Sequence, residues 1–243
     1  MLIAALDTTT RSGSCALVRG ASVIGLRVGD PARPHAGRLP GDLLDLLASH
    51  GLALADVDAF AVAAGPGSFT GLRIGIAAAQ GLAFATGRPV VGVSALDALA
   101  HAATAALPAG ASRVGVWMDA QRGEVFAALY RVGPGDGDRP DLAEEHPAID
   151  ATPGAVLARW QSIELARCAF VGDGALVYRS RLEAAGIQAS AVIEPTPPIA
   201  ASVAALALAR LATGQPFHPH AVVPIYVRRP DAELARDRQT PAP

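Results

Sequence analysis

Residues 2–18 read LIAALDTTTRSGSCALV and decide the fold. The apolar run Leu2–Leu6 ends at Asp7, and a turn of small and polar residues follows. Ser14–Val18 then returns as a second apolar run. Two short apolar runs joined by such a turn predict a β-hairpin, and the first strand of this hairpin ends in a carboxylate.

The same pattern occurs a second time. Val114–Met118 is an apolar run that ends at Asp119, and Glu124–Tyr130 is the returning second strand. In each half an apolar strand, a glycine turn and a helix come later in the chain, with the turn at Gly65 in the first half and at Gly172 in the second. This order predicts two copies of one strand-rich α/β lobe.

Two lobes that each open with such a hairpin describe the actin-like (ASKHA) architecture of actin and the sugar kinases. We predict an α/β fold of two duplicated lobes, each a mixed sheet flanked by helices, with the hairpin turns facing each other across a cleft. Residues 1–103 are predicted to form the first lobe and residues 104–228 a smaller second lobe. Helix 199–214 is a candidate to pack back on the first lobe, and we expect residues 229–243 to be a loose tail.

Composition excludes several kinds of site. The chain has 243 residues, a net charge of −2, and neither lysine nor asparagine. Without lysine there is no Walker phosphate loop and no Schiff-base chemistry, and without both residues there is no protein-kinase site. No basic stripe indicates a free-standing RNA binder. The two cysteines lie in apolar runs, and we see no signal peptide or membrane span, so we expect a cytoplasmic protein.

The best-defined motif is Gly65–Gly75, GPGSFTGLRIG. One interpretation is a tight strand-to-helix turn in which Ser68 or Thr70 caps the helix. The other is an anion site at the N-terminus of that helix. The glycine spacing does not fit a dinucleotide fingerprint, and Pro66 stands where a serine-nucleophile motif needs glycine.

Two predicted helices are candidates for a partner interface. Leu39–Ser49 carries leucines on one face, and Thr70–Thr86 is apolar nearly all round with a stripe of small residues. Such a helix is either buried inside its own lobe or covered by another subunit, and the sequence leaves both alternatives open. The predicted partner interface consists of Leu39, Leu43, Leu46, Leu47, Phe69, Leu72, Arg73, Gly75, Ile76 and Ala79. On this hypothesis Gly75→Arg or Leu46→Asp abolishes partner binding and leaves the monomer folded.

Five segments resemble the TsaB (YeaZ) family: Asp7–Thr10, Ala61–Gly75, Gly92–Ala100, Asp119–Phe126 and Pro224–Arg228. The resemblance implies a bacterial, non-catalytic scaffold or activator that binds a TsaD-type catalytic subunit as a heterodimer. That pair transfers threonylcarbamoyl to the tRNA adenosine next to the anticodon, with a TsaE-type ATPase as a further partner. The resemblance also implies a homodimer when the chain is alone, contact with tRNA only through the complex, and no membrane association.

A departure from the related catalytic family indicates the role. That family resembles this chain through the glycine turn and carries a His-x-x-x-His metal pair after the next strand. The corresponding positions here are Ala95 and Leu99. Neither side chain offers a lone pair, so we expect no metal, no catalytic residues and no enzyme activity of this chain alone.

Asp7, Thr8, Thr9 and Asp119 are candidates for vestigial phosphate loops, because they stand at the two hairpin turns. Both turns lack the glycine after the aspartate that lets backbone approach a phosphate. We therefore expect no tightly bound cofactor, and ATP or ADP only at the junction with the catalytic partner. Two alternatives remain open. One is a nucleotide-dependent small-molecule kinase of the same fold; the other is a peptidase, for which no nucleophile–base pair is evident.

Overall fold

The computed structural model describes residues 1–135, 140–214 and 218–228. It contains two mixed sheets flanked by helices, which confirms the predicted α/β, actin-like fold of two duplicated lobes. The predicted tail, residues 229–243, lies outside the described residues. Within the described ranges, no helix is both long and apolar enough to cross a bilayer.

The first lobe is a five-stranded sheet in the order β3-β2-β1-β4-β5. β1, β2 and β3 are antiparallel neighbours, whereas β4 and β5 run parallel to β1. The strands are β1 (Leu2–Asp7), β2 (Ser14–Arg19), β3 (Ser22–Val28), β4 (Ala59–Gly65) and β5 (Val90–Ser94). The helices are α1 (His35–Ser49), α2 (Phe69–Thr86) and α3 (Ala95–Ala103).

The second lobe repeats this topology with four strands in the order β8-β7-β6-β9. β6, β7 and β9 take the places of β1, β2 and β4, and Asp119 ends β6 as Asp7 ends β1. The strands are β6 (Arg113–Asp119), β7 (Val125–Gly133), β8 (Asp141–Ala151) and β9 (Cys168–Val171). The helices are α4 (Pro153–Arg159), α5 (Asp173–Val177), α6 (Arg179–Ala184) and α7 (Ala200–Leu211).

Helices cover both faces of the first-lobe sheet. α1 and α2 pack on one face, and α3 and α7 pack on the other. α7 therefore lies on the first lobe although it follows the second in sequence, and its Ala200 N donates to Ser14 Oγ at 3.2 Å. The cluster around α3 and α7 also includes Val114 and Val116 of β6, so one apolar core joins the two lobes.

Helix α2 has clear end signals in the sequence. The Ser68 hydroxyl accepts from Gly71 N at 3.3 Å and caps the N-terminus, as the turn interpretation of the glycine motif predicts. The helix ends at Gly87, whose φ of 66° is left-handed and suits glycine. This turn places the start of α2 directly beside the β1–β2 turn, since Ser68 N donates to Thr9 O at 2.9 Å.

Candidate functional site

A cleft of about 1130 Å³ lies between the two lobes. Its walls are the β1–β2 turn, the segment before α1, the β4–α2 turn, the β6–β7 turn, the start of α5 and residues 225–228. The two hairpin turns therefore face one cleft, in the arrangement that the repeat predicts. We call residues 222–228 the strap, because this segment runs from the first lobe to the second.

The β1–β2 turn is closed by its own contacts. Asp7 is buried, and its Oδ1 accepts from Thr9 N at 2.8 Å and from Thr9 Oγ1 at 2.6 Å. Thr8 is also buried, and its hydroxyl donates to Gly71 O at 2.7 Å. A Cβ added at Gly67 would lie 2.6 Å from Thr9 Cβ, so the glycine turn is already filled by the threonine. The pKa of Asp7 is raised above its usual value, because the effect of burial outweighs the lowering by the hydrogen bonds from Thr9.

The β6–β7 turn holds Asp119 in a similar way. Asp119 Oδ1 accepts from Gln121 N at 3.0 Å, and Oδ2 accepts from Gln121 Nε2 at 2.6 Å. A second carboxylate, Asp173 at the start of α5, accepts from Asp119 N at 3.0 Å and from Gly174 N at 2.9 Å. Burial raises the pKa of Asp173. Sequence reasoning missed Asp173 as a cleft residue, although the Gly172–Gly174 turn that carries it was visible.

The positions that correspond to the metal pair of the catalytic family lie in an apolar core. Ala95 and Leu99 of α3 are buried. Leu99 reaches towards the second glycine turn, where a Cβ at Gly172 would lie 3.2 Å from Leu99 Cδ2. Among the described residues, no three His, Cys, Asp or Glu side chains cluster in a way that could hold a metal ion. That the chain binds no metal stays a prediction.

An aromatic pair stands at the mouth of the cleft. The rings of Phe69 and Tyr226 stack with centroids 5.6 Å apart and an interplanar angle of 29°. The Arg73 guanidinium lies 4.0 Å from the centroid of Phe69, and Arg73 Nε donates to Tyr226 Oη at 3.3 Å. Phe69 and Tyr226 remain 43% and 39% exposed, so this pair is both held in place and open to solvent.

The strap is fixed to both lobes. Ile225 N donates to Ala64 O at 2.7 Å in the first lobe. In the second lobe Arg228 forms a bidentate pair with Asp150, with Nε–Oδ2 and Nη2–Oδ1 distances of 2.6 and 2.9 Å. Arg228 also donates to Ala120 O at 2.8 Å and to the Glu124 carboxylate. The strap therefore joins the two lobes through contacts between residues that lie far apart in sequence.

Comparison with known proteins identifies the family. A model of the TsaD family, tRNA N6-adenosine threonylcarbamoyltransferase, matches residues 30–236. The solved structure of YeaZ from Pseudomonas aeruginosa is 33% identical, covers 93% of this chain and 100% of its own, and superimposes with a TM-score of 0.72. The chain belongs to the TsaB (YeaZ) family.

Two further relatives are similar to this chain. The tRNA threonylcarbamoyladenosine biosynthesis protein TsaB of Escherichia coli is 42% identical over 131 residues, which are 54% of this chain and 55% of that protein. An uncharacterized protein of Mycobacterium tuberculosis is 35% identical over 95% of this chain and 93% of its own length.

For this TsaB-family chain, the predicted partner interface needs a correction. Of its ten residues, Leu39, Leu43, Leu46, Leu47, Leu72, Gly75, Ile76 and Ala79 are buried, and only Phe69 and Arg73 are exposed. The α1 leucines pack into the core of the first lobe beneath the sheet. A Cβ at Gly75 would overlap the Thr8 hydroxyl, so the small-residue stripe faces its own lobe. Gly75→Arg and Leu46→Asp would therefore disturb the fold itself.

Apart from Phe69 and Arg73, other residues form the exposed apolar surface of these two helices. Leu44 is 50% exposed on α1, and Phe84 is 86% exposed on α2. Small or apolar exposed residues accompany them; these are Pro40, Gly41, Ala48, Ala77, Gly81 and Ala85. We call this set the α1–α2 outer face. A phenylalanine with so much exposed surface on a helix is a marker of an interaction site when other apolar residues adjoin it.

Proposed function

We propose that this chain is a non-catalytic partner subunit that binds a TsaD-type catalytic subunit and supports transfer of threonylcarbamoyl to tRNA adenosine next to the anticodon. Membership of the TsaB family supports involvement in tRNA threonylcarbamoyladenosine biosynthesis. The observation that carries the partner role is the α1–α2 outer face, where Phe84 and Leu44 present apolar surface to solvent. Two helices with small exposed residues allow a second helix pair to approach closely.

A role without catalysis agrees with the chemistry of the cleft. The carboxylates of Asp7 and Asp119 accept hydrogen bonds from their own turns, and the positions of the metal pair hold Ala95 and Leu99. A partner subunit needs neither a metal nor a nucleophile, whereas a kinase needs an accessible phosphate loop and a base. The closed β1–β2 turn therefore favours the partner role over the kinase alternative.

The remaining partners belong to the same proposal. The match of the TsaD model to residues 30–236 supports a partner of related fold, which would offer an equivalent pair of helices to the outer face. The same face pairs with a second copy when the catalytic subunit is absent, because a two-fold contact needs only one self-complementary patch. A TsaE-type ATPase, ATP or ADP at the subunit junction, and tRNA reached through the complex complete the assembly.

Co-purification with the TsaD-type protein of the same organism tests the proposal, using Leu44→Asp and Phe84→Asp. Both side chains are exposed in the isolated chain, so these variants should fold and lose the partner together with threonylcarbamoylation activity. Val177→Asp is the matched control, because Val177 is 60% exposed in the second lobe, away from the outer face. Full activity of the catalytic subunit without this chain would reject the partner role. Unchanged association in both variants would reject the α1–α2 outer face as the surface that binds the partner. Phosphoryl transfer by the isolated chain would favour the kinase.

A further inference from the structure

The mouth of the cleft presents aromatic rings that the partner role leaves unused. Phe69 and Tyr226 lie at the cleft and not on the α1–α2 outer face. Arg73 contacts both rings, which fixes them while about two fifths of each residue stays exposed. Rigid exposed rings of this kind are stacking platforms for unpaired nucleobases, because every base has a π-face.

Three exposed arginines line the same cleft as this aromatic pair. Arg11 of the β1–β2 turn, Arg33 before α1 and Arg122 of the β6–β7 turn all line the cleft, and all three are exposed. Asp119 and Asp173 lie in the same cleft, but both already accept hydrogen bonds from the protein. Arginine at both hairpin turns and aromatic rings at the mouth match the phosphates and bases of a nucleic acid strand.

The closed turns argue against a free nucleotide. In the first turn, Ser68 N already donates to Thr9 O, and Thr9 fills the space beside Gly67. A terminal phosphate therefore finds the backbone of this turn occupied. The arginines line the cleft and are exposed, so a strand that lies across its mouth can contact them. A ligand with several phosphates spaced along a chain fits this distribution better than a mononucleotide does.

We propose that the cleft mouth binds an unpaired loop of RNA, with one base stacked on Tyr226, whose other face packs on Phe69, and the flanking phosphates contacted by Arg11 and Arg33. The inference rests on the proposed function, because the tRNA of that pathway offers an unpaired anticodon loop as the ligand. The net charge of −2 gives the chain no general attraction for RNA, so the proposed contact depends on this patch. The site therefore adds to RNA binding by the complex and positions the loop.

The test is fluorescence anisotropy with a labelled RNA hairpin that has the stem and open loop of an anticodon arm. It is titrated with the reconstituted pair of this chain and its TsaD-type partner, and separately with this chain alone. Tyr226→Ala should weaken binding about 5- to 150-fold, the range expected for losing one base–aromatic stack. Tyr226→Phe keeps the ring and should retain most of the affinity. Arg11→Gln and Arg33→Gln should each reduce the slope of log K against log salt by about 0.7.

Controls separate this site from general charge effects. Arg159→Gln removes an exposed arginine of the second lobe outside the cleft and should leave the slope unchanged. A fully paired RNA of equal length should lose the dependence on Tyr226. Unchanged RNA affinity in Tyr226→Ala would overturn the proposal. So would displacement of the hairpin by ATP, if ATP binding also depends on Tyr226.

Failure of the proposed function gives a different result. If the partner does not co-purify, the partner role fails, and the titration of this chain alone then decides the RNA site. Binding that depends on Tyr226 supports the site in that case, and binding that does not depend on it overturns the site. If the pair forms and Tyr226→Ala leaves partner association intact while RNA affinity drops, both proposals stand.

Discussion

Gly75 of α2 packs so closely on Thr8 that a Cβ at position 75 would overlap the threonine hydroxyl. That hydroxyl donates to Gly71 O at 2.7 Å, one turn earlier in the same helix. The two glycines thus let α2 lie directly on the β1–β2 turn. The close packing explains why the first hairpin turn is closed and why the helix is glycine-rich on its buried side.

Gly75→Ala is expected to destabilise the chain by about 1–3 kcal/mol, the usual cost of forcing extra volume into a packed site. Gly81→Ala on the same helix is the matched control, because a Cβ there meets nothing within 4 Å. It should stabilise by about 0.5–1 kcal/mol through helix propensity. Urea unfolding of both variants measures the difference. Equal effects would mean that the Thr8 contact does not limit position 75.

The double variant Thr8→Ala/Gly75→Ala sharpens this result. Removing the hydroxyl relieves the overlap at Gly75 but also removes the bond to Gly71 O. The two substitutions should therefore be less destabilising together than the sum of their separate effects, as expected for residues in contact. Additive free energies of unfolding would contradict the proposed overlap.

The sequence does not show what the apolar faces of α1 and α2 pack against. The leucines of α1 and the small-residue stripe of α2 are both recognisable patterns, but periodicity reports only which residues share a face. Whether that face meets the chain's own sheet or a second subunit depends on the β1–β2 turn and the sheet, which lie far away in sequence. The hairpins whose first strands end in Asp7 and Asp119 were predictable, since the two strands and the turn of each hairpin lie within one short segment.

Leu46→Asp should unfold the protein, whereas Leu44→Asp should not. Leu46 is 5% exposed in the core of the first lobe, and Leu44 is 50% exposed on the outer face. Placing a carboxylate in the core costs roughly 4 kcal/mol or more, because the cavity and the desolvation of the charge add together. The surface change is expected to stay within about 0.5 kcal/mol. Thermal unfolding distinguishes them, and a stable Leu46→Asp variant would contradict the assigned core.

Arg228→Ala should destabilise the chain by about 1.5–3 kcal/mol for the loss of charge-assisted hydrogen bonds. Its pair with Asp150 is largely shielded, with side chains 21% and 13% exposed. Arg179→Ala is the control, because its pair with Glu194 is 34% and 58% exposed and should contribute about 1 kcal/mol at most. Unfolding followed by Trp117 and Trp160 fluorescence measures both. Similar losses in the two variants would argue against a special role for the strap.

Two features of the second lobe had no clear signal in the sequence. β8 (Asp141–Ala151) mixes polar and apolar residues and contains Pro147, which suits its place at the edge of the sheet but leaves no apolar run that would indicate a strand. The strap contacts Ala64 and Asp150, and nothing in the local sequence of residues 222–228 indicates these distant partners. Such contacts arise only from the assembled lobes.

Asp7→Asn is expected to raise the melting temperature at neutral pH. Burial raises the pKa of Asp7 above its usual value of 3.8, so the folded chain binds this proton more tightly than the unfolded chain. The stability from Asp7 is therefore fully present below pH 3.8 and is lost as the pH rises through the folded pKa. Asparagine keeps an oxygen that accepts from Thr9 and cannot ionise. Its advantage should shrink as the pH falls towards 4, which calorimetry at several pH values measures. A variant less stable than the parent at pH 7, with the gap closing in acid, would show instead that the charged carboxylate stabilises the turn.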